Sequence, residues 1–176
     1  MNRIDLISTM VLLTASCCFA QHSPNRAGEQ HSSTTPEFSI TVTSPEESVK
    51  LTSAINFTVT VTNTTDHEIY WAHERSKDGP YTAFRFVLTK SGHEVETTFF
   101  HRVITGRQRP DDPLEVYSGS SILLPYKPGK MFAMTLDLKR LYEVKEPGLY
   151  TLDVSRFDEA SKMTVSSKKI TLKITP

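Results

Sequence analysis

The sequence predicts an all-β sandwich of about seven to nine strands. Three observations carry that expectation. From Phe38 onward apolar and polar residues alternate with period two. Gly, Pro and Asn/Asp turn residues interrupt that alternation at short intervals. No helical stretch is long enough to serve as a parallel crossover.

The elements follow in order. FSITVT (38–43) sets Phe38, Ile40 and Val42 against Ser39, Thr41 and Thr43, and INFTVTVTN (55–63) repeats the pattern before the turn Asn63-Thr64-Thr65-Asp66. Such alternation marks half-buried antiparallel strands, because successive side chains on a strand point to opposite faces. EIYWAHE (68–74) is a shorter strand that carries the single Trp of the chain. FRFVLTK (84–90) turns through Lys90-Ser91-Gly92-His93 into EVETTFF (94–100), which predicts a hairpin. SILLPY (121–126) and MFAMTLDL (131–138) flank the turn Lys127-Pro128-Gly129-Lys130, and 138–144 is expected to hold at most a short helical turn. LYTLDVSRF and KKITLKIT close the chain as two long strands. On the first of these, Tyr150, Leu152, Val154 and Arg156 share one face, while Thr151, Asp153 and Ser155 share the other and face water.

Outside the sandwich, the start MNRIDLISTMVLLTASCCFAQ has Arg3, an apolar run from Leu6 to Leu13, and small residues after it, the pattern of a secretory signal peptide. Cleavage after Ala20 gives a leader of residues 1–20. Alternatively, Leu13-Thr14-Ala15-Ser16-Cys17 resembles a bacterial lipobox, with Thr14 where an aliphatic residue is usual. In that case the leader is 1–16, and a lipid on Cys17 tethers the chain to the envelope. Residues 21–36, rich in Ser, Thr, Gln and Pro, bury too little to order themselves and are expected to form a flexible linker. Residues 37–176 then form one domain. The expected location is periplasmic or secreted, or else lipid-anchored.

Cys17 and Cys18 are the only cysteines, so the domain is expected to have no disulfide, thiolate nucleophile or Cys-based zinc site. With 20 basic and 20 acidic residues the formal net charge is zero. Nothing in that balance draws the chain to nucleic acid or to an anionic membrane surface. No later stretch approaches the roughly 20 apolar residues of a transmembrane helix.

The stretch TVTNTTDHEIYW resembles the opening strand, Asn turn and strand of bacterial immunoglobulin-like domains. PYKPGKMFAMTLDLKRLYEVKEPGLYTLDVSRF, followed by SSKKITLKI, is similar to the end of many exported bacterial sandwiches. The intracellular proteinase inhibitor (BsuPI-like) family has a comparable layout. The resemblance implies an immunoglobulin-like antiparallel β-sandwich, with Trp71 as a core anchor and Tyr150 as a corner lock whose hydroxyl bonds nearby backbone. The inhibitor family's middle motifs find no counterpart in residues 90–120, so no inhibitory residue is carried over.

Chemistry-bearing clusters are few. Asp153 and Ser155 lack a positioned base. His67, His73, His93 and His101 show no ligand spacing, and Asp111-Asp112-Pro113 with Glu115 lacks the alternating oxygens of a calcium loop. No catalytic residue, metal or cofactor is therefore expected. The long irregular stretch 105–120 and the adjacent Phe99-Phe100 are the expected binding surface, through Phe99, Phe100, Arg107, Arg109, Asp111, Asp112 and Tyr117. The expected function is a non-enzymatic exported binding module for a protein or cell-envelope ligand. The alternatives are an inhibitor acting through 105–120 and, third, a small hydrolase built on His73 or His101 with a carboxylate.

Overall fold

The period-two segments fold into two sheets packed face to face, in a computed structural model that describes residues 34–74, 81–115 and 120–176, the side chains of His73 and Glu74 excepted. The leader with Cys17, most of the linker, and Tyr117 lie outside the described residues. Strands are numbered in chain order. The first sheet has the order β1 (Phe38–Thr43), β3 (Asn56–Asn63), β8 (Met131–Asp137). The second runs β2 (Ser48–Lys50), β11 (Ile170–Thr175), β9 (Gly148–Asp158), β5 (Arg85–Lys90), β6 (His93–Glu94), with β10 (Met163–Ser166) also paired to β9. A separate ribbon pairs β4 (Ile69–Glu74) with β7 (Ser121–Tyr126).

Register places the apolar set of each strand inward. Ile40 lies opposite Val61 and Leu88 opposite Leu152, and Phe57, Val59, Leu88, Leu152 and Val154 are fully buried. Across the two sheets the Phe57 and Phe86 rings meet edge-on at 5.8 Å. The long strand β9 lies between β5 and β11, and β3 lies between β1 and β8, the two-layer arrangement of an immunoglobulin-like sandwich. Tyr150, near the start of β9, donates its hydroxyl to the carbonyl of Glu146 at 2.7 Å. That bond fixes the corner entering the strand.

The structure departs from the sequence expectation at four points. Eleven strands are described rather than about seven to nine, because β2, β6 and β10 are short edge pieces. β2 runs parallel to β11, so the sandwich is not wholly antiparallel. The hairpin turn at Ser91-Gly92 forms, with φ of 52° and 83° at its two residues. Positive φ at both is what a tight two-residue connection requires. Its second strand nevertheless ends at Glu94, Thr97 makes only an isolated bridge to Tyr142, and Phe99 and Phe100 open the helix α1 (Phe99–Ile104). Helix is therefore not limited to the 3-10 turn at Leu138–Arg140. The Thr98 hydroxyl caps α1 by accepting from the His101 amide. Gly106, at φ 65°, closes the other end by donating to the Val103 carbonyl. A glycine is favoured there because that backbone is left-handed.

Asn63 joins the ribbon to the first sheet. Buried at the end of β3, it donates through Nδ2 to the carbonyls of His67 (2.9 Å) and Tyr126 (2.8 Å), while its Oδ1 accepts from the amide and hydroxyl of Thr65. Asn63→Ala removes four hydrogen bonds from a part-buried junction, so the unfolding free energy is expected to fall by about 1–3 kcal/mol. Urea denaturation would register this as a lower midpoint at unchanged slope, and a midpoint equal to wild type would contradict the assignment.

Candidate functional site

The region expected to bind, 99–120, is held tightly against the domain over its described part. Phe99 and Phe100 stand on α1 rather than on opposite faces of a strand. Phe100 packs edge-on against Tyr81 at 5.6 Å with the Arg140 guanidinium 4.5 Å above its ring, so it is part of the packing under the helix. Arg102 from α1 reaches into the following loop and binds both oxygens of Asp112, at 2.5 and 2.7 Å. Asp112 also accepts from the Arg109 amide at 2.8 Å. Arg109 in turn pairs with Glu96 at 3.0 Å, while the side chains of Arg107 and Asp111 face solvent. The bidentate guanidinium holds the Asp112 carboxyl down at about 2. Arg109 and Asp112 are thus committed to shaping the loop.

Two hollows open on the described surface. The smaller, about 320 Å³, lies between α1 and β5 and holds His101, Tyr142, Glu94 and Arg107 on its walls. His101 Nδ1 lies 3.2 Å from the Leu141 carbonyl. A carbonyl can only accept, so Nδ1 carries the proton and Nε2 is left as an acceptor. Burial, with the nearby Arg107 charge, lowers the pKa of His101 and keeps the ring neutral. Burial likewise pushes the Tyr142 phenol, which donates to the Phe86 carbonyl at 2.7 Å, up to about 12. Among the described residues no nucleophile or acid hydrogen-bonds Nε2, and no three His, Cys, Asp or Glu side chains gather as metal ligands.

The larger hollow, about 760 Å³, lies where β5 begins beside the ends of β9 and β4. Arg85, Arg156, Ser121, Ser155, Thr164 and Phe157 are on its walls. Arg156 is stacked 3.9 Å from the centre of the Trp71 ring and donates to the Ala83 carbonyl at 3.2 Å. Trp71 itself lies on β4 of the ribbon rather than within either main sheet. It is enclosed by Phe38 (4.9 Å), Phe132 (5.2 Å) and Phe84 (6.2 Å). Ser155 faces this hollow. Asp153 is half-buried 4.0 Å from Lys169, with one oxygen buried and unpaired, so this pair does not form the fully wetted face expected of it.

The third feature is apolar. Every residue of β7 from Ser121 to Pro125 is exposed, including Ile122, Leu123 and Leu124. In the β4–β7 register Tyr70 lies opposite Pro125 and Ala72 opposite Leu123, so these four share the outer face, and Tyr70 and Leu123 are each 66% exposed. The opposite face carries Ile69 and Trp71 into the core. The SILLPY segment signalled a strand but gave no sign that both its faces would be open.

No protein-family model matches the chain, and no curated protein matches it. Solved structures share parts of its layout. A β-glucosidase from Listeria innocua in complex with glucose is 14% identical over 80% of this chain and 16% of its own, with a TM-score of 0.40. The β-glucosidase EmGH1 from Erythrobacter marinus is 17% identical over 78% of this chain and 15% of its own, with a TM-score of 0.38. The CARDB domain of a Pyrococcus furiosus protein is 9% identical over 81% of this chain and 98% of its own, with a TM-score of 0.35. The chain thus spans about a sixth of the β-glucosidases' length. Likeness at this level says nothing of activity or ligand.

The Asp112 clamp has a signed pH dependence. Its folded pKa of about 2 lies below the ordinary 3.8. Its stabilising effect is therefore complete above 3.8 and disappears as pH falls through about 2. Asp112→Asn is expected to lower the melting temperature and speed exchange of the Arg109 amide at neutral pH, with the difference from wild type vanishing near pH 2. An Arg109 amide equally protected in both proteins at neutral pH would contradict the clamp.

Proposed function

We propose that this chain is a non-enzymatic interaction module that accepts an extended segment of another protein along the side of β7 turned away from β4. The observation that carries the reading is the exposed Ile122-Leu123-Leu124 strand. Contiguous exposed apolar surface marks contact sites, and an edge strand offers unpaired N–H and C=O groups that an added strand can satisfy. Sheet edges are usually guarded by Lys or Pro; β7 has no Lys, and Pro125 stands near its end. The leader-like start of the sequence supports an exported or lipid-tethered location, and the mass of the mature chain, beginning at Gln21 or at lipidated Cys17, decides between them. The inhibitor-like alternative draws only on the rigidity that Asp112 gives the loop, and a protease panel unaffected by the chain would contradict it.

The test places a photo-cross-linker at Leu123 and, as control, at Leu149, an equally open position on β9. In the organism's exported fraction the Leu123 position is expected to capture one other protein that Leu149 does not. The captured segment, made as a peptide, should slow exchange of the β7 amides. Leu123→Glu is expected to weaken that binding about tenfold, or about 1.4 kcal/mol, while stability changes by no more than about 0.5 kcal/mol. Cross-linking of the chain to a second copy of itself, or equal labelling from both positions, would overturn the proposal.

A further inference from the structure

The larger hollow combines a half-buried guanidinium with a wall that holds no acid among the described residues. Arg156 projects from β9 on the side that carries Tyr150, Leu152 and Val154 into the core. Burial and its place on the Trp71 ring remove much of its hydration, and burial lowers its pKa. A guanidinium has five N–H donors. Among the described residues those of Arg156 find one acceptor, the Ala83 carbonyl. No described carboxylate lies within ion-pairing distance of Arg156, and Arg85, the second cation on the wall, also has no ion-pair partner among the described residues. Asp158 acts on Arg156 only from farther off, its oxygens engaged by the Glu37 and Ala160 amides and the Ser161 hydroxyl. The other polar wall groups are hydroxyls: Ser121, Ser155 and Thr164, together with Thr82 and Ser120. Phe84 and Phe157 supply apolar surface beside them. The space, about 760 Å³, is the size of a small-molecule site, for which roughly 300–1,000 Å³ is usual.

We propose that this hollow binds a small organic oxyanion, a carboxylate or phosphate carried on an apolar or aromatic body, with the anion on Arg156, the Arg85 charge adding from the rim on the other face of the sheet, and the body against Phe84 and Phe157. A guanidinium presents parallel N–H groups that match two oxygens of such an anion. The hydroxyls complete its hydrogen bonding. Because Arg156 already rests on one face of Trp71, the remaining donors at its edge are held in a fixed direction, which reduces the ordering cost of binding.

The chain carries its own reporter, since Trp71 is the single Trp and lies under Arg156. Titration with benzoate, phenyl phosphate and inorganic phosphate at constant ionic strength is expected to give a saturable change in Trp fluorescence. The two aryl anions should bind with Kd of about 1 mM or tighter. Comparing the aryl anions with each other separates the carboxylate from the phosphate preference, and inorganic phosphate tests the need for an apolar body. Benzyl alcohol, without a charge, is expected to give no saturation. Arg156→Gln should weaken binding at least about tenfold, the loss of one charge-assisted contact. Because that change also disturbs the Trp71 stack, Arg85→Gln is measured as well, by amide shifts of Ser155 and Thr164, and should weaken binding at least about threefold. Equal responses to benzoate and benzyl alcohol, absence of saturation, or affinity unchanged in both variants would overturn the assignment. Leu123→Glu should leave oxyanion binding intact, so this site and the β7 surface succeed or fail separately.

Discussion

The ring of Trp71 is the junction on which the other features depend. It reaches from the ribbon to Phe38 of β1 and Phe132 of β8 in one sheet, to Phe84 at the entry to β5, and to the Arg156 guanidinium of β9 in the other sheet. A buried aromatic of this size is worth about 3–5 kcal/mol against its removal, and a desolvated cation over its face adds about 2 kcal/mol. Among the described residues no other side chain of the ribbon stacks on partners in both sheets. Asn63 adds a polar anchor at the other end, where its amide satisfies the turn and the end of β7 together.

Holding the ribbon in this way determines which surfaces are open. Ile69 and Trp71 turn inward, so Tyr70, Ala72, Leu123 and Pro125 must turn outward. The ribbon joins neither main sheet among the described residues, and β7 therefore keeps an unpaired side there. Arg156 cannot pack into the core without a partner, and the ring that shields it also aims its edge into the space beside β5. One packing decision thus yields an apolar strand on one side and a cationic hollow on the other.

Much of this was legible in the sequence, and the rest was not for identifiable reasons. Period two revealed β1, β3, β9 and β11, and Pro147-Gly148 before Tyr150 pointed to the corner bond to Glu146. It also put Arg156 on the inward face of β9, and a lone Arg in an otherwise apolar row was the signal that could have found the hollow. The helix at Phe99–Ile104 was missed because six residues hold too few turns to show a 3.6 period, and Phe, Val and Ile favour strands in isolation. Thr98 and Gly106, a cap at each end, were the available clues. The β4–β7 pairing joins segments about 50 residues apart, and local alternation holds no information on partners so remote. The loop at 105–120 drew attention through its Pro, Gly and charges, but in residues 105–115 Asp112 is held by Arg102 of α1 and Arg109 pairs with Glu96, while Arg107, Asp111 and Glu115 stay exposed.

Native-state hydrogen exchange on Trp71→Ala tests the junction most directly. If the ring fastens the ribbon to both sheets, the amides of β4 and β7 lose about ten- to a hundredfold more protection than those of β3 and β9, because the ribbon then opens separately from the sandwich. Protection lost equally in all four strands, or lost more in β3 and β9, would show that Trp71 is an ordinary core residue and would contradict the account.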